Sequence, residues 1–572
     1  MIEVWAPEAS RVDIEFSADG AEIARESMVR DRRGWWRWDG EPTAYEEFDY
    51  AFVLDGEEPA LPDPRSAWQP NGVDGPSRWF DTSAHDWADG EWRGPREGAG
   101  TLGGVIYECH IGTFTDDGTF DAAIERLDHL VDLGVDVVEV LPVAAIPGRW
   151  GWGYDGVDLY AVHDPLGGPL AFQRFVDACH ARGLGVCLDV VYNHLGPSGN
   201  YLGRFGPYFT QAHVTPWGPA VNLDASGSDE VRGFIIDNAV RWLRDFHVDA
   251  LRLDAVHALI DDSERHLLAE LSDSVAALSR ELGRPLDLIA ESDLNDTRMV
   301  TSTSGGGLGM TAQWADDVHH GLHVALTGET QGYYADFGGG TRSLPHGGPL
   351  DVLAHVLTRG FFHDGRWSTF RGREWGRPVD IDMLDGRRLV TYLQTHDQVG
   401  NRATGDRISA SLSPGRAAIG AALYLLGPGT PMVFMGEEWA ASTPWQFFTD
   451  FTDEAMAEAV RAGRRAEFGA HGWTEDEIPD PQSRSTRDAS VLRWGELAAE
   501  PHASLLSWYR DLIALRRTVI GTAETRFVDV ACRVEGEGIF FVMEHRGVTV
   551  RADLERDAVT VSADGMRDLV YG

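Results

Sequence analysis

Lysine is missing from this chain. Arginine supplies all 49 basic residues among 572. Without a lysine amine there is no Schiff-base chemistry and no lysine for a phosphate-binding loop. Cysteine is scarce. Cys109, Cys179, Cys187 and Cys532 are scattered, forming neither a metal-type pair nor a disulfide framework, which predicts a reducing compartment. No apolar run reaches the ~18 residues of a membrane span. The opening "MIEVWAPEAS" has no basic region ahead of an apolar stretch, so a cytoplasmic location is expected. Positive charge is also short: 91 acidic residues leave a net charge of −42. Such a surface repels phosphate backbones and anionic lipid, so nucleic acid and membranes are not expected partners.

What is present is a long chain, 43% hydrophobic, with 20 tryptophans. About two to four domains are expected at this length. Residues 1–90 read as an N-terminal β-sandwich, because "SRVDIEF" and "YAFVLDG" alternate apolar and polar residues between Gly, Pro and Asp. Residues 91–103, rich in glycine and charge, read as a linker. From 104 to 518 strands and helices alternate. The strands are "GVIYECH", "VDVVEVLPV", "VCLDVV", "ALRLDAV", "DLIAES", "MTAQW", "LVTYLQT" and "TPMVFMG". The first intervening helix is predicted over "TFDAAIERLDHLVDLG", with Phe120, Ala123, Ile124, Leu127, Leu130 and Val131 on its apolar face. Eight such units predict a closed (β/α)8 TIM barrel, α/β in class, with insertions at 195–228 and 315–388. Residues 519–572 read as a small C-terminal β domain.

In such a barrel the reactive groups sit at the C-terminal ends of the strands. Asp189 and His194 follow the third strand. Arg252, Asp254 and His257 follow the fourth, Glu291 and Asp293 the fifth, and His396 and Asp397 the seventh. In "DALRLDAVHAL" (249–259), Arg252 and Asp254 alternate with Leu251 and Leu253 and so share a face. That pair is either an ordinary ion pair on a wet sheet or a reactive acid held ionised by its neighbour. Acids from four strands converging on one mouth repel one another and are costly to desolvate, which favours chemistry. Glycoside hydrolysis needs one ionised carboxylate and one protonated carboxyl group. Asp254 beside Arg252 suits the nucleophile; Glu291, after "LIA", suits a general acid in a drier spot.

The segments "DVVYNH" (189–194), "LRLDAVH" (251–257), "AES" (290–292) and "THDQ" (395–398) resemble, in order and spacing, the conserved regions of the α-amylase family of glycoside hydrolases. Thr395 stands where that family usually has asparagine. The resemblance implies Asp254 as nucleophile, Glu291 as acid/base and Asp397 as the third carboxylate. It implies Asp189, His194 and His396 around the sugar, Arg252 as the partner of Asp254, and Tyr154 of "WGYDG" stacked on the sugar at the cleavage point. His257 is left between lining the far side of the cut bond and capping the next helix. Longer stretches, among them "GRWGWGYDGVDLYA" and "LQTHDQVGNRATGDR", are similar to a trehalose-releasing branch of the family. That similarity implies maltooligosyltrehalose and related α-glucans as substrate, water as co-substrate and a monomer. Branching, debranching or general amylase-type activity stays open as an alternative, as does an inactive glucan-binding barrel. No cofactor and no obligatory metal are expected. His319 and His323 have i, i+4 spacing but no HExxH; Asn193 has no cluster of extra acids for calcium; and "GGGLG" (305–309) is not a dinucleotide fingerprint.

Overall fold

The computed structural model describes residues 2–18, 20–40, 48–469, 474, 477–521 and 523–572. At its centre eight parallel strands close into a barrel in chain order. They are β1 (Ile106–Cys109), β2 (Val137–Val140), β3 (Gly185–Val190), β4 (Ala250–Leu253), β5 (Asp287–Ala290), β6 (Ala312–Trp314), β7 (Leu389–Tyr392) and β8 (Thr430–Phe434). Each falls within a strand predicted from the sequence, except that β3 starts one residue earlier, at Gly185. Three- and four-stranded antiparallel sheets precede the barrel, and a five-stranded sheet spanning Val530 to Tyr571 follows it. Among the described residues no helix is long and apolar enough to cross a membrane.

Two-residue periodicity decides which side chains enter the barrel. Ile106, Val137, Cys187, Ala250, Ile289, Ala312, Val390 and Met432 form one packed interior cluster, each no more than 1% exposed. Two residues further along the first five of those strands the same inward direction belongs to Glu108, Glu139, Asp189, Arg252 and Glu291. The register keeps these groups side by side, with Glu108 opposite Glu139 and Asp189 opposite Arg252.

The first predicted helix breaks in two, at Phe120–Ile124 and Leu127–Leu133. Leu133 replaces Val131 on the buried face; Val131 is exposed. Gly134, at φ 95°, ends the second piece in the left-handed conformation that glycine adopts without strain. Residues 91–103 are packed rather than free. Trp92 Nε1 donates to Asp249, the Thr101 amide to Asp287 and the Gly103 amide to Thr430 Oγ1, each at 2.8 Å. These acceptors lie at or just before the first residues of β4, β5 and β8. The segment therefore closes the end of the barrel opposite the candidate site. Composition alone suggests a mobile tether, because the partners that bind its polar groups are far away in sequence.

Candidate active site

Arg252 organises the C-terminal mouth of the barrel. It is 0% exposed, so the wet-sheet alternative is excluded. Its Nη1 donates to both oxygens of Asp189 at 2.9 and 2.8 Å and to Asp254 Oδ1 at 3.0 Å. Its Nη2 lies 3.0 Å from Glu291 Oε2, an ion pair without hydrogen-bond alignment. The guanidinium carbon sits 4.2 Å from the centre of the Trp314 ring, which adds cation–π attraction. Asp254 and Glu291, from adjacent strands, thus face one cation, as two carboxyls sharing a sugar-sized gap must.

The backbone sharpens this geometry. Ala255 adopts φ 37°, unusual for a residue with a side chain, and its amide donates to Glu291 Oε2 at 2.7 Å. Asn193 Nδ2 donates to Asp254 Oδ2 at 2.8 Å and to the Asp254 carbonyl at 2.9 Å. Burial raises Glu291 well above the ordinary glutamate range, with Asp254 and Asp397 adding to the rise and Arg252 opposing it. Burial also raises Asp397. Its side chain keeps 40% of its exposure and so remains open to a ligand. Burial thus favours the protonated form of Glu291, while Asp254 accepts a hydrogen bond from the guanidinium, the division of labour that glycoside cleavage requires.

The remaining predicted residues fall into two sets. Tyr154, His194, His257, His396 and Asp397 surround the mouth. The Tyr154 ring stacks on His396 at 5.1 Å and 19°, and its hydroxyl donates to Asp189 Oδ2 at 2.6 Å. His194 stacks on half-exposed Trp217 at 4.5 Å and 5°. His257 is exposed in a single 3-10 turn, with Nδ1 3.8 Å from Asp293 Oδ1. It caps no helix: His266 accepts the cap hydrogen bond of Leu267–Leu282. Asp189 and Arg252 form the second set, beneath the mouth. Asp189 is 3% exposed, raised to about 6 by burial, and occupied by Tyr154 and Arg252. The resemblance puts Asp189 around the sugar and Arg252 beside Asp254; here the Asp189 carboxylate is taken up by Tyr154 and Arg252.

The alpha amylase catalytic-domain family matches residues 76–205. A malto-oligosyltrehalose trehalohydrolase of Arthrobacter ramosus is 53% identical across 100% of this chain and 95% of its own length. The enzyme of that name from Saccharolobus solfataricus is 41% identical over 90% of this chain and 84% of its own.

The chain belongs to the malto-oligosyltrehalose trehalohydrolase family.

A solved structure described as a putative alpha amylase from Salmonella typhimurium has the same architecture, with TM-score 0.84, 35% identity and coverage of 99% of this chain and 93% of that one.

For a trehalohydrolase-family barrel, several site features escaped the sequence reading. Glu108 and Glu139 lie within the quoted strands "YECH" and "VVEV". Each is a charged residue in phase with an inward apolar one, and that signal was legible. Asn193 reads in sequence as a calcium candidate without its acids, whereas it holds Asp254. Trp217 and Trp314 gave no signal, because stacking partners are set by loops and neighbouring strands. The His319–His323 pair is engaged otherwise: His319 contacts the Leu393 carbonyl and the Tyr334 hydroxyl, and His323 contacts Glu329. Among the described residues one group, His213, Asp224 and Asp262, gathers side chains at metal-ligand spacing. Asp224 Oδ2 there already meets His213 at 2.8 Å and the Asp262 amide at 2.9 Å.

Proposed function

We propose that this chain is a retaining glycoside hydrolase that cleaves the α-1,4 bond next to the terminal trehalose of maltooligosyltrehalose, releasing trehalose. The observation that carries the chemistry is the shared guanidinium, with Asp254 and Glu291 both 3.0 Å from Arg252. The choice of trehalose as leaving group leans on the whole-length similarity to the named trehalohydrolases.

In this reading Asp254 attacks the anomeric carbon while Glu291, kept protonated by burial, donates its proton to the glycosidic oxygen. Trehalose leaves and a glycosyl ester of Asp254 remains. Water then attacks that ester as Glu291 takes back a proton, and configuration is retained. Asp397 and His396 hold sugar hydroxyls, Tyr154 stacks on the ring, and His194 flanks it. A hollow of about 200 Å³ lined by Asp293, Asp316, Tyr333, Phe370, Arg371 and Asp397 opens beside the site. Asp293 lies two residues past the proton donor, so this hollow is assigned to the leaving trehalose; His257 Nδ1 lies 3.8 Å from Asp293 Oδ1. Arg371 Nη2 donates to Asp293 at 2.8 Å, and the aromatic rings supply flat faces for a disaccharide.

The same reading makes the enzyme a monomer, and a cytoplasmic one; four free thiols, three of them buried, fit a reducing compartment. It divides the chain into 1–90, the packed connection 91–103, the barrel 104–518 and the C-terminal sheet domain 519–572. The test is to incubate the enzyme with maltooligosyltrehalose beside a plain maltooligosaccharide of equal length and identify the sugars released. Strong preference for the first, with free trehalose as product, is expected. Equal cleavage points to a general amylase-type enzyme, and new or cleaved α-1,6 branches to a branching or debranching enzyme.

A further inference from the structure

Beneath the mouth the barrel holds more carboxyls than its cations can balance. Glu108 and Glu139 face inward from neighbouring strands, each 1% exposed. The guanidinium nearest them belongs to Arg252, which Asp189, Asp254 and Glu291 already engage. Two adjacent carboxyls in so dry a place do not both ionise. Glu139 has neither oxygen hydrogen-bonded by a standard donor. Glu108 is different, because it grips a single residue at two points. One oxygen accepts the backbone amide of His396 at 3.1 Å, and the other lies 2.5 Å from His396 Nδ1.

We propose that Glu108 is a positioning residue for the reaction, its protonated carboxyl donating to Nδ1 of His396 and so fixing the tautomer in which Nε2–H points toward the substrate. The ring itself is held by the Tyr154 stack, and its Nε2 lies 3.7 Å from Asp397 Oδ1. Burial keeps the imidazole neutral by lowering its affinity for a second proton. A neutral ring donates from one nitrogen only, so the group at Nδ1 decides what Nε2 can do. A protonated Glu108 leaves Nε2 as a donor to sugar hydroxyls; an ionised Glu108 pulls the ring proton to Nδ1 and leaves Nε2 a bare acceptor.

Glu108 is raised to about 8 by burial, with the His396 amide and Arg252 opposing the rise. The groups facing it are Glu139 on β2, Arg252 on β4, Tyr154 from the loop after β2, and His396 after β7. Cys109 is its neighbour on β1. His396 in turn faces Asp397, Arg252, Asp189 and Asp254. On raising pH the pair loses one proton: the Glu108 proton crosses to Nδ1, and the Nε2 proton leaves through the open site. Activity that depends on the Nε2–H donor falls with it.

This inference rests on the placing of His396 at the cleaved sugar. Glu108→Gln mimics the protonated state, because its amide oxygen still accepts the His396 amide while its NH2 group donates to Nδ1 at every pH. Expected is near-wild-type kcat at pH 6 and an alkaline limb moved to higher pH. Glu108→Leu lowers kcat more than it raises KM. Nitrogen-15 NMR of histidine-labelled enzyme, with the His396 signal identified by its loss in His396→Gln, should report Nε2–H below the transition in wild type and Nδ1–H above it. Glu108→Gln should report Nε2–H throughout. An Nδ1–H ring at pH 6, or a pH-dependent tautomer in Glu108→Gln, overturns the proposal. A wild-type rate in His396→Gln would instead remove His396 from the sugar, a separate failure.

Discussion

Five barrel strands carry an apolar residue and, two positions later on the same face, an ionisable one: Ile106 and Glu108, Val137 and Glu139, Cys187 and Asp189, Ala250 and Arg252, Ile289 and Glu291. The lower layer is a packed core with no polar demand. The upper layer is expensive, because desolvated charges are stabilised only by an exact set of partners. The contrast teaches that stability and chemistry are stacked in one barrel a few ångströms apart. The lower layer pins the strands in register, and the register sets the angles at which the upper groups meet.

That contrast can be broken from either side. Asp254→Ala should leave no measurable turnover in a product assay while circular dichroism stays unchanged, since a retaining route without its nucleophile has no ester to form. Glu291→Gln should lower kcat by about 10²–10⁴, the usual worth of a general acid, again with the fold intact. Near-wild-type rates in either variant would end the division of roles. Arg252→Met should cost about 3–5 kcal/mol of stability, because it leaves Asp189 buried without its cation, and should abolish turnover as well; thermal unfolding beside rate measurement checks both. Ile289→Ala should cost about 2–5 kcal/mol through the cavity it leaves while turnover per folded molecule is unchanged; a large drop in kcat would mean the layers are not separable. The smallest effect is expected in the long insertion between β6 and β7. His363, 3% exposed, lies 3.2 Å from Asp336 and 3.7 Å from Asp317. Burial would lower its affinity for a proton, but those two partners outweigh it and raise His363 to about 9. A raised histidine stabilises fully below its unfolded value of about 6.5. That stabilisation is lost as pH climbs through about 9, so hydrogen exchange in residues 329–376 should quicken over this window.

Much of this was open to a reader of the chain. All eight strands, the closed barrel and the meeting of Asp254, Glu291 and Asp397 at one end follow from periodicity and order. The split of the first helix was hidden because its apolar spacing continues across the break. The role of 91–103 was hidden because its partners, Asp249, Asp287 and Thr430, are more than a hundred residues away. Asp189 looked like a sugar contact because its position at a strand end says nothing of depth.

By itself the sequence determined which residues alternate in and out of the barrel, and in what order the reactive ones arrive, since both depend on local backbone geometry. Tertiary structure alone decided which acids are dry, which share Arg252, and that Glu108 meets a histidine 288 residues further on. Those outcomes depend on closing the barrel, which sets distance and solvent access together, and no spacing along the chain encodes either.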